Sequence, residues 1–246
     1  EALSGAEVTV MGISPAGQGG SWLVMGDATG RVLGRQLDGD RPGSLVSLSA
    51  PDEARGRVLA LAFTQDGGLA ITGGADRVAR LWDLRPSRVG RRGVGFTAPR
   101  AAPISAIAAS ADGGWAAIGS TDGSIHIWRL TASGFGGGPW VKTGHQGAIT
   151  TLAFSPNGAW LISGSADRNA RLWRASGFST TGADGIVLTG HTRRIVSARF
   201  SADSTLAVTG GEDQDLLVWR LADPAAPAVR LHGHDGAVTA VLAVGG

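Results

Sequence analysis

Tryptophan recurs in this chain with a nearly fixed period. Trp82, Trp128, Trp173 and Trp219 stand 46, 45 and 46 residues apart, and each follows an aspartate by six positions: Asp76, Asp122, Asp167 and Asp213. A repeat of that length means that one supersecondary unit is copied along the chain, and the copies must bury one another's faces. Within each unit, segments such as "VLALAFTQDGG", "ITTLAFSPNGAW" and "IVSARFSADST" alternate apolar and polar residues and end in turn residues. That is the pattern of a half-buried strand entering a tight turn. A second apolar run then leads to the aspartate ("LAITGGAD", "AAIGSTD", "LISGSAD", "AVTGGED"), and a third ends at the tryptophan. After a variable loop a fourth strand is expected, as in "GIVLTG" or "AVRLHG". Each unit therefore reads as a four-stranded antiparallel meander, which cannot bury both of its faces alone.

Composition narrows the classes that such a chain can belong to. With 43% hydrophobic and 17% charged residues in 246, it can bury a large core. Its 40 glycines follow no three-residue period, which excludes collagen. No apolar run approaches the roughly 20 residues of a membrane-spanning helix. Cysteine is absent, so disulfides and thiolate chemistry are excluded; a cytoplasmic setting is compatible with this. The pI of 10.2 is not a nucleic-acid signature. Net charge is only +2, tyrosine is absent and Lys142 is the single lysine, so few groups titrate between neutrality and high pH. Binding a phosphate backbone needs clustered cations rather than a high pI.

The segments "TGHQGAITTLAFSPNGAWLISGSADRNARLW" and "LTGHTRRIVSARFSADSTLAVTGGEDQDLLVW" resemble WD repeats, with Gly-His near the start and tryptophan near the end. Two repeats match closely and two in part, while the first, "VTVMGISPAGQGGSWLVMGDATGRVLGRQL", is eroded. The resemblance implies an all-β fold, a β-propeller whose blades surround a central channel. Five four-stranded blades are expected, near residues 8–49, 57–98, 104–144, 149–190 and 195–232, with a partial repeat over 233–246. "EALSG" at the start resembles the end of a fourth strand. Because sheet edges must be paired or protected, the chain reads as a segment of a larger propeller. The other reading is a five-bladed ring whose ends cooperate at one seam.

His145, Ser163 and Asp167 are also the residue types of a hydrolase triad. The resemblance implies another role, a hydrogen-bond relay inside each blade. It would run from Trp173 through Ser163 and His145 to Asp167, and from Trp219 through Thr209 and His191 to Asp213. The chemistry fits: an indole N–H only donates, a hydroxyl and an imidazole do both, and a carboxylate accepts. The set occurs twice, its hydroxyl varies between serine and threonine, and no G-x-S-x-G elbow presents Ser163. Blade two keeps Thr72, Asp76 and Trp82 but has Ala54 where histidine would fall. Blade three keeps Asp122 and Trp128, with Ile118 in the hydroxyl slot and Arg100 near the histidine slot. Blade one has Thr29 and Arg35 in the aspartate and tryptophan slots.

In the family, partners dock on the rim formed by the loops entering the first strands and by the aspartate turns. Mapped here, that surface holds Arg57, Arg77, Gln146, Arg168, Arg193, Arg194, Glu212 and Asp235. Arginine suits bidentate capture of carboxylate or phosphate. The run "RPSRVGRR" (Arg85, Arg88, Arg91, Arg92) falls on the opposite face and lacks the aromatic residues that stack bases. Gly134–Trp140 is glycine-rich without the Lys-Ser/Thr ending of a phosphate loop, and is expected to be a flexible loop. His126 points from a strand of blade three. His232 and His234 have no partner following at ligand spacing, so no metal is assigned. No cofactor is implied.

The function expected is that of a non-catalytic platform or sensor for a protein or peptide partner, with attached domains of a larger bacterial signalling protein. Two alternatives stay open: an enzyme using the central channel, and a weak nucleic-acid or phosphate binder. Because the relay decays toward the start of the chain, Trp82→Ala or Trp173→Ala should lower the melting temperature more than any substitution in blade one. Thermal melts of matched variants check this, and equal shifts would refute it.

Overall fold

The computed structural model describes residues 6–17, 20–37, 43–49, 56–85, 94–97, 102–131 and 134–241. Ala54, Arg88, Arg91, Arg92, Arg100, the opening "EALSG" and the last five residues lie outside the described residues. Among the described residues, twenty strands form five four-stranded sheets, each an antiparallel meander in chain order. The first sheet holds β1 (Val8–Ile13), β2 (Trp22–Asp27), β3 (Val32–Gln36) and β4 (Leu45–Ser47). The second holds β5 (Val58–Phe63), β6 (Leu69–Gly74), β7 (Val78–Asp83) and β8 (Val94–Thr97). In the third are β9 (Ile104–Ala109), β10 (Trp115–Ser120), β11 (Ile125–Thr131) and β12 (Gly134–Lys142). The fourth comprises β13 (Ile149–Phe154), β14 (Trp160–Ser165), β15 (Ala170–Arg174) and β16 (Ile186–Leu188). The fifth comprises β17 (Ile195–Phe200), β18 (Leu206–Gly211), β19 (Leu216–Arg220) and β20 (Val229–Leu231). This is the all-β propeller architecture that the repeat implied. The sheets pack through their first strands in sequence, β1 on β5, β5 on β9, β9 on β13 and β13 on β17. The first and last sheets do not close on each other, as in part of a larger propeller.

Hydroxyl residues pin the turn between the first and second strands of each of the last four sheets. Thr64, Ser110, Ser155 and Ser201 donate to Asp66, Asp112, Asn157 and Asp203, two residues on, and accept from the backbone N–H of Leu69, Trp115, Trp160 and Leu206. Each side chain thus replaces a ladder bond that the turn cannot supply. The hydrogen bond from Thr64 leads the effects that hold the Asp66 carboxyl below its ordinary pKa, and the one from Ser110 does the same at Asp112.

The cores lie between sheets. Ile71, Ile104, Ile118 and Trp128 pack between the second and third, while Leu161, Ile149, Ile125 and Trp173 pack between the third and fourth. A single contact recurs at every junction. A glycine in the second strand of one sheet leaves a socket, and a β-branched residue at the start of the next first strand fills it. Val58 sits over Gly26, Ile104 over Gly73, Ile149 over Gly119 and Ile195 over Gly164. A Cβ on Gly119 would lie 2.5 Å from Ile149 Cγ2, so the fit leaves no room for a methyl group.

One expectation is corrected. Gly134–Trp140 is no loop but most of the nine-residue strand β12. Its register against β11 shifts on both sides of Arg129, and bulges of this kind admit glycine on a sheet edge. Trp140 anchors the strand edge-on to Trp115, with centroids 5.9 Å apart. The partial repeat, in turn, forms no ladder strand over 233–241. It lies on the last sheet with Val238 buried against Gly210.

The socket predicts that Gly119→Ala costs about 1–3 kcal/mol by overpacking. Ile149→Ala in the same chain should recover part of that loss. Urea unfolding midpoints of the two single variants and the double variant measure the coupling, and strict additivity would refute it.

Candidate functional site

The aspartate turns join the second and third strands of each sheet. After every aspartate slot the next residue takes positive φ: Gly30 at 98°, Arg77 at 67°, Gly123 at 84°, Arg168 at 74° and Gln214 at 73°. The aspartate stabilises this turn by accepting from the backbone two residues on. Asp76 accepts from Val78 N, Asp122 from Ser124 N at 3.0 Å, and Asp167 from Asn169 N at 2.9 Å.

In the fourth sheet the relay residues come together. Trp173 Nε1 donates to Ser163 Oγ at 3.0 Å, Ser163 Oγ lies 2.8 Å from His145 Nε2, and His145 Nδ1 lies 2.9 Å from Asp167 Oδ2. The fifth sheet repeats the arrangement through Trp219, Thr209, His191 and Asp213, at 3.1, 2.9 and 2.9 Å. The protons can be placed by elimination. The carboxylate can only accept, so Nδ1 carries the hydrogen and donates to it; Nε2 of the neutral ring then accepts from the hydroxyl, which in turn accepts from the indole. Asp167 also accepts from Gln146 N and Asp213 from Thr192 N, which ties each turn to the loop entering the first strand.

The distances alone would satisfy a catalytic triad. Accessibility separates the two roles: Ser163 is 0% exposed, and an indole already occupies its oxygen. A nucleophile must reach its substrate, and neither hydroxyl is open to one.

Burial lowers the pKa of His145 from its ordinary 6.5 and outweighs the raising effect of Asp167. Burial would raise the Asp167 carboxyl, but the bonds from Asn169 N, Gln146 N and His145 together hold it below 3.8. Asp213 is held low in the same way.

The second sheet keeps half of the relay. Trp82 donates to Thr72 Oγ1 at 2.8 Å, while Asp76 turns to Arg80. In the third sheet Asp122 accepts from the backbone and hydroxyl of Ser124. There Trp128 packs edge-on to the buried His126 and against Phe135. The first sheet substitutes a carboxylate that the repeat pattern does not place. Buried Asp27 accepts from Thr29 N and Oγ1 and from Arg31 N and Nε, fixing the turn from the strand end.

All eight residues assigned to the rim from the sequence, Arg57, Arg77, Gln146, Arg168, Arg193, Arg194, Glu212 and Asp235, are exposed, as is Gln214 of the fifth aspartate turn. Arg57 pairs with Glu7 at 2.8 Å, and Arg194 lies 3.9 Å from Glu212. Arg77, Arg168 and Arg193 make no ion pair with a described residue. Arg85, on the opposite face, is held by both oxygens of Asp83. His232 Nδ1 lies 2.5 Å from Asp215, which also pairs with Arg230, so His232 does have a carboxylate partner, seventeen positions upstream rather than following it. Among the described residues no three His, Asp or Glu side chains are placed to hold a metal ion, and no helix is long and apolar enough to cross a membrane.

Meanders stacked through glycine sockets, with tryptophan relays under the turns, define a propeller-type repeat protein. Residues 44–83, 94–129, 138–174 and 181–220 match the family model described as WD domain, G-beta repeat. The chain belongs to the WD-repeat family. Each matched segment joins the outer strand of one sheet to three strands of the next, as 44–83 joins β4 to β5–β7. No curated relative matches the chain. WD repeats generally serve as protein-interaction scaffolds and are typically non-enzymatic.

The lowered His145 pKa sets a pH dependence. The unfolded chain takes up a proton near 6.5 and the folded chain only at lower pH, so acid favours unfolding. The relay's contribution is complete above about pH 6.5 and is lost as pH falls toward the folded value. Denaturant melts from pH 8 to 5 should show falling stability. His145→Asn should be less stable at pH 8, by about 1–3 kcal/mol for the partners left unpaired, and flatter below 6.5. An unchanged slope would refute the assignment.

Proposed function

We propose that the chain is a non-catalytic interaction module that docks a protein or peptide partner on the face of the aspartate turns. The observation that supports this reading is the choice of residue at the turn position with positive φ. Glycine holds that conformation without penalty at Gly30 and Gly123. Arg77, Arg168 and Gln214 hold it against a steric cost of about 1–2 kcal/mol each. Long polar side chains at strained, exposed positions fit selection for contact rather than for folding. Arg168 and Arg193 are exposed cations without a described partner, and their guanidinium groups suit carboxylates on an acidic partner. Rigid support favours such recognition, because little ordering entropy is then lost on binding.

A larger bacterial signalling protein, cytoplasmic and with attached domains, is the setting we propose. The bias toward arginine over lysine and the richness in glycine and alanine support it. A channel enzyme would need convergent acids, and Glu212 is already set against Arg194. The small net charge disfavours nucleic acid.

Photo-crosslinking residues placed at Gln146, Arg168 and Arg193, and for contrast at Asp112 and Asp203, test the face in source cells. Discrete protein adducts should form from the first group only; adducts from the second group alone would overturn the reading. Arg168→Gly supplies a further test. Relief of strain should raise stability by about 1 kcal/mol, while the yield of those adducts falls. Lower stability with unchanged adducts would mean that Arg168 serves the fold.

A further inference from the structure

The outer strands of the sheets differ in length. β4, β8, β16 and β20 span three or four residues, whereas β12 runs for nine, Gly134–Lys142. A long edge is a template for a further strand, and a segment of the fourth sheet takes that place at the end of β12. Gly182 bridges Lys142 in parallel: its N–H donates to Val141 O and its carbonyl accepts from Thr143 N, both at 3.0 Å. Thr181 Oγ1 accepts from Val141 N at 3.2 Å.

Two features set this strap apart from core packing. Its apolar anchors lie at its ends, where Phe178 is fully buried and Gly185 lies against the Trp173 ring. Between them Ser179, Thr180, Thr181, Ala183 and Asp184 are exposed, and a Cβ on Gly182 would meet nothing within 4 Å. The second feature is the residue beneath. Lys142 pairs with Ile125, three positions after its aspartate, and at the matching places the fourth and fifth sheets carry Leu188 and Leu231. An aliphatic side chain therefore suffices to hold an outer strand. Lys142 instead buries an ammonium, its side chain 0% exposed, against Asp184, whose side chain is 51% exposed. Lifting the strap leaves that cation uncompensated, which is costly until another anion replaces the first.

We propose that the strap is an internal stand-in for a partner, and that the Val141–Thr143 edge takes up an extended acidic segment of another protein by strand addition when the strap lifts. The strap specifies the ligand. The segment runs parallel to β12 and makes both main-chain bonds from the residue opposite Lys142. It carries a hydroxyl one position before that residue and a carboxylate two positions after it, as Thr181 and Asp184 stand to Gly182. Main-chain bonds supply affinity, and the carboxylate on Lys142 supplies selection. The strap competes as a tethered ligand and lowers the partner's apparent affinity by the fraction of edges it occupies. This edge is separate from the aspartate-turn face, so neither reading depends on the other.

Fluorescence anisotropy with a labelled peptide copying residues 179–185, Ser-Thr-Thr-Gly-Ala-Asp-Gly, tests this on the full chain and on a Thr181→Ala/Asp184→Ala variant, whose strap is loosened. The variant should bind the peptide about tenfold or more tighter than the parent does. On the variant, the same peptide with asparagine for aspartate should bind about tenfold or more weakly. Adding Lys142→Leu, which copies Leu188, should abolish the difference between the two peptides. Equal binding of both peptides to the loosened variant would overturn the proposal, as would no binding by a variant that melts like the parent. Hydrogen exchange in the parent gives a second measure. The Gly182 and Thr143 amides, which close the strap, should exchange about tenfold or more faster than those of the central strand β11. Matching rates would mean that the strap opens only with the sheet, and would equally refute it.

Discussion

A four-stranded twisted sheet has two apolar faces and cannot cover either of them by itself. Everything in this molecule follows from how one sheet covers the next. The contact that does so is small: a hydrogen in place of a side chain on the second strand, and a branched aliphatic residue dropped into the gap. Gly26, Gly73, Gly119, Gly164 and Gly210 each provide it. Because the socket is narrower than a methyl group, it fixes the height and offset of the incoming strand. The large residues around it, Trp82, Trp128 and Trp173, are then buried almost completely.

The relays act at right angles to this packing. Where sockets join sheet to sheet, the chain from Trp173 to Asp167 joins the third strand, through the second, to the loop entering the first. It is assembled from the groups that elsewhere cleave esters and amides, at distances that would serve. What separates the two uses is water and access. Buried and saturated, the hydroxyl of Ser163 is a junction for protons already spoken for. Where histidine is missing the turn persists, because its aspartate, or Asp27 in the first sheet, still binds the backbone.

Much of this was legible in the sequence for a physical reason: a repeated unit states its constraints several times. The Trp-Asp spacing and period-two runs located the sheets, and the Gly-His segments located the relays. The hydroxyl pins at Thr64, Ser110, Ser155 and Ser201 are equally visible, as Ser or Thr two residues before Asp or Asn, but the turn pairs alone do not show that the hydroxyl binds both sides of the turn. Strand β12 was misjudged because glycine signals freedom locally, while the partners that order it, Trp115 and the segment 180–184, are distant in sequence. The pairing of Asp215 with Arg230 and His232 is similarly non-local. Which residue at the turn position has positive φ could be counted, but its strain appears only with the backbone.

That segment beside β12 has a chemical consequence. Gly182 bridges to Lys142 in parallel and covers the longest outer edge, while the Lys142 ammonium, fully buried, binds Asp184 at 2.8 Å and Thr180 at 3.2 Å. Since this is the only lysine, the folded chain offers no accessible side-chain amine to acylating reagents. A reagent reaches Lys142 only when the seam between the third and fourth sheets opens. One residue therefore serves as a built-in clock: where an amine reagent reacts faster than the seam recloses, the rate at which Lys142 is marked is the rate at which that seam comes apart.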